Sequence, residues 1–174
     1  MQQNLSILVE NQSGVLLRVA NLFSRRGYNI ESIAAGTTQD PDITRITVSV
    51  SCDDTQVLQL VKQLHKLPVV LRVKKLAEGT HFSRELVFIK VTSDADTRTG
   101  ILQIVDIFRG HVIDVSSDTL TIEISGNNDK INALIELLRP YGIAEMVRTG
   151  LIAIERGNRI LSLDGKLESD SSGE

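Results

Sequence analysis

Residues 11–14, with the sequence Asn-Gln-Ser-Gly, have the residue types best suited to binding a small anion. They lie between an apolar segment, 5–9, and a segment of helical periodicity that begins at Val15. The first N–H groups of a helix have no partner inside the helix and lie at the positive end of its dipole, so they attract a carboxylate. Gly14 has no Cβ, so a ligand can approach its backbone closely.

Asn29 is the second polar residue of interest, because the oxygen of a side-chain amide accepts hydrogen bonds from an ammonium group. It begins the strand that follows the first predicted helix, so that helix separates it from residues 11–14 within one chain. Across a symmetric interface, the Asn29 end of one chain can meet the 11–14 end of the other. Such a site would be a property of a dimer. An Asn-x-x-Gly sequence before a helix is also typical of an ordinary cap and turn, and this alternative stays open.

Two similar successions of strands and helices, each in the order βαββαβ, surround these residues. The first has predicted strands at 5–9, 28–36, 44–51 and 69–75 and helices at 15–26 and 55–66; the second has strands at 86–91, 112–116, 120–125 and 143–147 and helices at 100–108 and 130–138. Ile46, Val48 and Val50 alternate with polar residues, as in a strand buried on one face. Gly27 ends the first helix, and Pro68 prevents continuation of the second. The order indicates an α+β fold of two ferredoxin-like units in tandem, each an antiparallel sheet with two helices on one face.

The predicted domains are therefore 1–78 and 79–159, with a polar linker at 78–83. Residues 160–174 form a polar tail that we expect to be disordered. Each unit covers one face of its sheet only, so the other face needs a partner. We expect a dimer or a larger assembly.

The remaining residues indicate neither catalysis nor metal binding. Cys52 is the single cysteine, which excludes an internal disulfide and favours a reducing compartment. The histidines, His65, His81 and His111, lack metal-ligand spacing, and the Asp-Pro-Asp sequence at 40–42 is typical of a turn. A net charge of −3, scattered basic residues and 3% aromatic residues argue against nucleic-acid binding. There is no apolar run of membrane-spanning length and no targeting segment, so we expect a cytoplasmic protein without a membrane partner.

Residues 8–16, 18–19 and 22–32 resemble the ACT domain of the regulatory, or small, subunit of acetolactate synthase. Further similar segments, at 63–67, 70–73, 84–86, 107–110 and 113–115, extend the resemblance to about residue 159. The resemblance implies that the first domain is an ACT domain and that the chain is not itself an enzyme. It implies a regulatory subunit that activates the thiamin-diphosphate-dependent catalytic subunit and mediates feedback inhibition by valine in branched-chain amino-acid biosynthesis, which also supplies isoleucine. Thiamin diphosphate, Mg²⁺ and FAD are then expected on that catalytic partner and none of them on this chain.

The resemblance also implies an allosteric effector site, shared by a homodimer formed through the ACT domain. Its predicted residues are Asn11, Ser13, Gly14, Val15, Leu16, Asn29 and Ile30. Backbone N–H groups at 14–16 would bind the carboxylate of valine, and amide oxygens of Asn11 or Asn29 would accept from its ammonium group. The side chains of Val15, Leu16 and Ile30 would line the apolar part of the pocket.

The second unit has the sequence Asp-Thr-Arg-Thr-Gly at the corresponding turn, residues 96–100, and lacks both amides. No effector site is predicted there. An alternative function for the whole chain is a free-standing tandem ACT sensor of amino acids, which acts on a transcriptional regulator. Binding to a catalytic chain of acetolactate synthase distinguishes the two functions.

Overall fold

The computed structural model describes residues 2–163, and their contacts divide them into two units. The first comprises residues 2–82 and 153–163, and the second comprises residues 83–152. This grouping differs from the predicted division in two respects. The first unit extends to residue 82, and residues 153–159 return to it, where Glu155 pairs with Lys74. The domain bounds 1–78 and 79–159 stay predictions. The predicted tail lies, from residue 164 onward, outside the described residues.

The first unit has the predicted order of elements. They are β1 (Gln2–Glu10), α1 (Val15–Arg25), β2 (Ile30–Thr37), β3 (Ile43–Ser51), α2 (Asp54–Leu64) and β4 (Val70–Leu76). The strands pair antiparallel in the order β2-β3-β1-β4. Ile46, Val48 and Val50 are buried, as their alternation predicted. This sheet with its two helices confirms the ferredoxin-like plan.

The second unit repeats this plan. Its elements are β5 (His81–Thr92), α3 (Arg98–Ile107), β6 (His111–Val115), β7 (Thr119–Gly126), α4 (Asn128–Leu138), a short 3-10 turn (Arg139–Tyr141) and β8 (Ile143–Arg148). They form a sheet in the order β6-β7-β5-β8, and a last strand, β9 (Ile152–Glu155), pairs with β5. The predicted linker is shorter than expected, since β5 already begins at His81.

Helix α1 is attached to its sheet by a short apolar stripe. Val15, Val19 and Phe23 are buried, at the i, i+4, i+8 spacing of one helix face. Gly27, with φ at 71°, follows the helix and lets the chain turn toward β2. Among residues 2–163, no helix combines the length and the apolar character needed to cross a membrane.

Phe23→Ala is expected to destabilise the first unit strongly. Phe23 is 0% exposed, and deletion of a fully buried phenyl ring leaves a cavity that costs about 3–5 kcal/mol of unfolding free energy. Leu17→Ala, on the same helix but at a side chain that is 64% exposed, is the matched control and is expected to change little. Urea denaturation of both variants measures the difference. Equal losses in both would contradict the burial of Phe23.

Candidate functional site

Asn11 is bound by the connection between β2 and β3. Its backbone N–H donates to the carbonyl of Asp42 at 2.7 Å, and its Nδ2 donates to the carbonyl of Pro41 at 2.8 Å. Its Oδ1 accepts from Oγ1 of Thr44 at 3.1 Å. The turn predicted at 40–42 therefore supports the candidate site. The amide of Asn11 has a defined orientation, and its oxygen keeps one lone pair for a further donor.

The start of α1 has no side-chain cap. Gly14 occupies the N-cap position with φ at 80° and has no side chain to accept a hydrogen bond, whereas Asp53 and Asn127 cap α2 and α4 with their side chains. Among the described residues, the N–H groups of Gly14 and Leu16 have no acceptor, and the N–H of Val15 has only a long contact of 3.4 Å, to the carbonyl of Gln12. A carboxylate could accept from the two free N–H groups.

The space in front of this helix start is open. A Cβ built on Gly14 would meet no atom within 4 Å, so a ligand can approach the backbone there. Ser13 is exposed beside it. Leu16 is 47% exposed and is available to a ligand, whereas the side chain of Val15 is 4% exposed and packs in the core. Of the two predicted apolar contacts on the helix, only Leu16 is accessible.

Asn29 and Ile30 lie at the other end of α1. The helix contains 11 residues and is about 16 Å long at 1.5 Å per residue. Asn29 is exposed just before β2, and Ile30 is partly buried against the core. One chain therefore does not bring Asn29 to the start of α1. The structure assembles residues 11–16 as one group and residues 29–30 as another.

Glu10 is a charged residue near the site that was not among the predicted site residues. Its Oε2 accepts from Nε2 of Gln12 at 2.9 Å, so its carboxylate lies next to the loop that contains Asn11. A negative charge there favours an ammonium group. Its position just before Asn11 at the end of a strand was the only signal in the sequence.

The other candidate residues take structural positions. Within residues 2–163, no three or more His, Cys, Asp or Glu side chains are grouped so as to hold a metal ion. Cys52 is buried just after β3, and burial raises the pKa of its thiol, which makes it a poor nucleophile. Residues 10–16 instead bring together free backbone N–H groups, the Asn11 amide oxygen and the Glu10 carboxylate, whose chemistry suits a carboxylate and an ammonium group.

The fold defines the class, a tandem of two ferredoxin-like domains, and the family comparison identifies the first of them as an ACT domain. The family described as "AHAS small subunit-like ACT domain" matches residues 5–72, and the family described as "Small subunit of acetolactate synthase" matches residues 84–157. Together they cover both predicted units.

Individual relatives agree with these matches. The acetolactate synthase small subunit of Mycolicibacterium smegmatis is 47% identical over 155 residues, which are 89% of this chain and 91% of that protein. The probable small subunit of Archaeoglobus fulgidus is 45% identical over 91% of this chain and 99% of that protein. The crystal structure of the small subunit from Thermotoga maritima aligns with a TM-score of 0.84 and 40% identity, over 91% of this chain and 99% of that one. This chain belongs to the acetolactate synthase small-subunit family, whose members are the regulatory and not the catalytic subunits.

Proposed function

We propose that this chain activates the catalytic subunit of acetolactate synthase and makes that enzyme sensitive to valine. The enzyme condenses two pyruvate molecules, or pyruvate with 2-oxobutanoate, in branched-chain amino-acid biosynthesis. The single observation that carries the valine proposal is the uncapped start of α1 beside Asn11 in the ACT domain. Family membership supports the catalytic partner and favours this function over a free-standing sensor.

Valine matches the chemistry of the helix start. Its carboxylate would accept hydrogen bonds from the N–H groups of Gly14 and Leu16, and its ammonium group would donate to Oδ1 of Asn11 beside Glu10. Its isopropyl group would contact the exposed side chain of Leu16. Two backbone N–H groups, one amide oxygen and one apolar side chain, all within residues 11–16, would therefore bind the amino acid.

A second copy of the chain would complete the site. Asn29 and Ile30 lie at the far end of α1, so the two-fold arrangement that joins the groups places Asn29 of one protomer against the 11–16 group of its partner. We propose a homodimer through the ACT domain for this reason. Because valine then contacts both protomers, it favours the dimer arrangement that fits it best, and this differential affinity is what alters the catalytic partner.

The chain's own contribution is binding and regulation. We assign thiamin diphosphate, Mg²⁺ and FAD to the catalytic subunit, and we place the complex in the cytoplasm, as the sequence predicted. Each charged end of valine has a hydrogen-bond partner in the proposed site without a metal ion, since N–H groups donate to the carboxylate and the Asn11 amide oxygen accepts from the ammonium group.

Acetolactate formation by the cognate catalytic subunit tests the function. We expect a higher rate when this chain is added and a reduced rate when L-valine is then supplied, whereas D-valine, with its groups inverted at Cα, should inhibit much less. Thermal denaturation of the isolated chain is the independent measurement, with about 2.7 kcal/mol of stabilisation at a hundredfold excess over Kd. Activation without a valine effect would support the catalytic subunit as the partner and refute the effector site. Absence of activation would refute the regulatory role.

A further inference from the structure

Glu155, at the end of β9, is a buried carboxylate that the proposed valine site does not use. Its side chain is 4% exposed, and its Oε1 pairs with Nζ of Lys74 at 2.9 Å. Its Oε2 is buried and has no hydrogen-bond partner in the part of the chain that the structure describes. An unpaired oxygen of a buried carboxylate is unfavourable, so a second cationic partner would stabilise it.

Arg45, on β3, is a second cation near Glu155. Its Nε donates to Oγ of Ser6 at 2.9 Å. Burial lowers the pKa of the Arg45 guanidinium, and the negative charge of Glu155 acts in the opposite direction. Among the ion pairs of residues 2–163, none joins Arg45 to Glu155. The two groups therefore attract each other without being in contact.

The sheet places both cations on one face, with β1 between them. Ser6, which is fully buried on β1, pairs in register with Lys74 on β4 and receives the hydrogen bond from Arg45 on β3. Lys74 on β4 and Arg45 on β3 thus flank β1 on this face, and Glu155 pairs with Lys74. Movement of its carboxylate toward β3 would exchange one partner for the other or engage both.

The Arg45 side is directly connected to the proposed valine loop. Arg45 follows Thr44, whose Oγ1 donates to Oδ1 of Asn11 at 3.1 Å. An ammonium group that binds to the remaining lone pair of this amide oxygen would share the oxygen with the Thr44 hydroxyl and alter the Thr44 hydrogen bond. The position of the peptide between Thr44 and Arg45 is therefore sensitive to occupancy of the loop.

We propose that the carboxylate of Glu155 can pair with either Lys74 or Arg45, and we call this exchangeable ion pair the clamp. Valine bound at Asn11 changes which cation Glu155 pairs with and thereby alters the attachment of residues 153–163 to the first unit; we call this effect the valine trigger. Arg72 holds the far end of this segment, since it donates to the carbonyls of Ser162 and Leu163 at 3.2 and 3.4 Å. The valine trigger rests on the proposed function, whereas exchange between the two cations does not.

Hydrogen exchange of residues 153–163 in the full chain, without valine, tests the exchange itself. Lys74→Met and Arg45→Met should each raise the exchange rates by less than about threefold, because the other cation still holds Glu155, and the double variant should raise them by more than about tenfold. Lys75→Met is the matched control, since its amino group pairs with Asp54 at 2.6 Å instead. A chain that combines Lys74→Met with Arg45→Lys should exchange as slowly as Lys74→Met alone. This result would show that the faster exchange of the double Met variant arises from the loss of positive charge and not from misfolding. If Lys74→Met alone raised the exchange rates of residues 153–163 as much as the double variant does, the clamp would be refuted.

Valine inhibition of the assembled enzyme tests the trigger. Arg45→Met should leave activation by the chain intact and raise the half-inhibitory valine concentration by about fivefold or more, the range of ordinary allosteric coupling. Unchanged inhibition in this variant, beside a valine-sensitive wild-type enzyme, would overturn the trigger. A wild-type enzyme that does not respond to valine would refute the proposed function and, with it, the trigger, while the hydrogen-exchange result decides the clamp independently.

Discussion

Gly14→Ala is expected to remove most of the valine response while the first unit stays folded. Gly14 has φ at 80°, where an L-residue is strained by about 1–2 kcal/mol, and the new methyl group would stand in the open space where the carboxylate approaches. We expect the half-inhibitory valine concentration to rise by at least about tenfold, equivalent to about 1.4 kcal/mol of lost binding. Titration of acetolactate formation with valine measures it.

Gly79→Ala is the matched control for this variant. Gly79 has φ at 76° and also has no atom within 4 Å of its built Cβ, so the backbone strain is similar and the free space is similar. It lies in the turn before β5 and not at the start of α1. Both variants should lose comparable stability in urea denaturation, and only Gly14→Ala should lose valine sensitivity. If both variants lost valine sensitivity to the same extent, backbone strain would explain the loss and Gly14 would not be assigned to the valine site.

Two defective chains are expected to restore valine binding when they are combined. Gly14→Ala disables the 11–16 group and Asn29→Ala disables the other group, so each homodimer has two damaged sites. A mixed dimer has one site with both defects and one with neither, because each site takes one group from each protomer. With random pairing of equal amounts, about one quarter of the wild-type binding stoichiometry should return.

Calorimetric titration of the co-expressed mixture with valine measures this recovery. The separately expressed variants, mixed without exchange of subunits, are the control and should bind no more than either alone. Recovery would establish that the site is shared between protomers. A mixture that binds valine no better than its components would place Gly14 and Asn29 in different sites or in a site within one chain. Undiminished valine binding by Asn29→Ala alone would exclude Asn29 from the site.

The succession of elements was predictable because each one depends on local patterns. The alternation of Ile46, Val48 and Val50 requires a strand with one buried face, and the spacing of Val15, Val19 and Phe23 requires a helix with one apolar side. The order βαββαβ then restricts the topology, since few arrangements pair four such strands with both helices on one face. The twofold occurrence of this order indicated the tandem.

The strand β9 was not predictable in the same way. It has only four residues, and its pairing with β5 and the ion pair of Glu155 with Lys74 join residues about 70–80 positions apart in the chain. Short segments have weak periodicity, and ion pairs over such separations leave no mark in a single sequence. The return of residues 153–163 to the first unit is therefore a result of tertiary contacts.

The residue types at the candidate site could be predicted from the sequence, whereas their hydrogen-bond partners and their burial could not. Asn11, Gly14 and Asn29 stand at positions where a turn, a helix start and a strand start follow from local patterns, and these patterns suffice to predict a carboxylate-binding helix start. Only the tertiary structure decided that the Asn11 amide is bound by Pro41 and Thr44 and that the Val15 side chain belongs to the core. The physical reason is range: backbone conformation depends on neighbours in the chain, but hydrogen-bond partners and burial depend on which distant segments the folded sheet brings together.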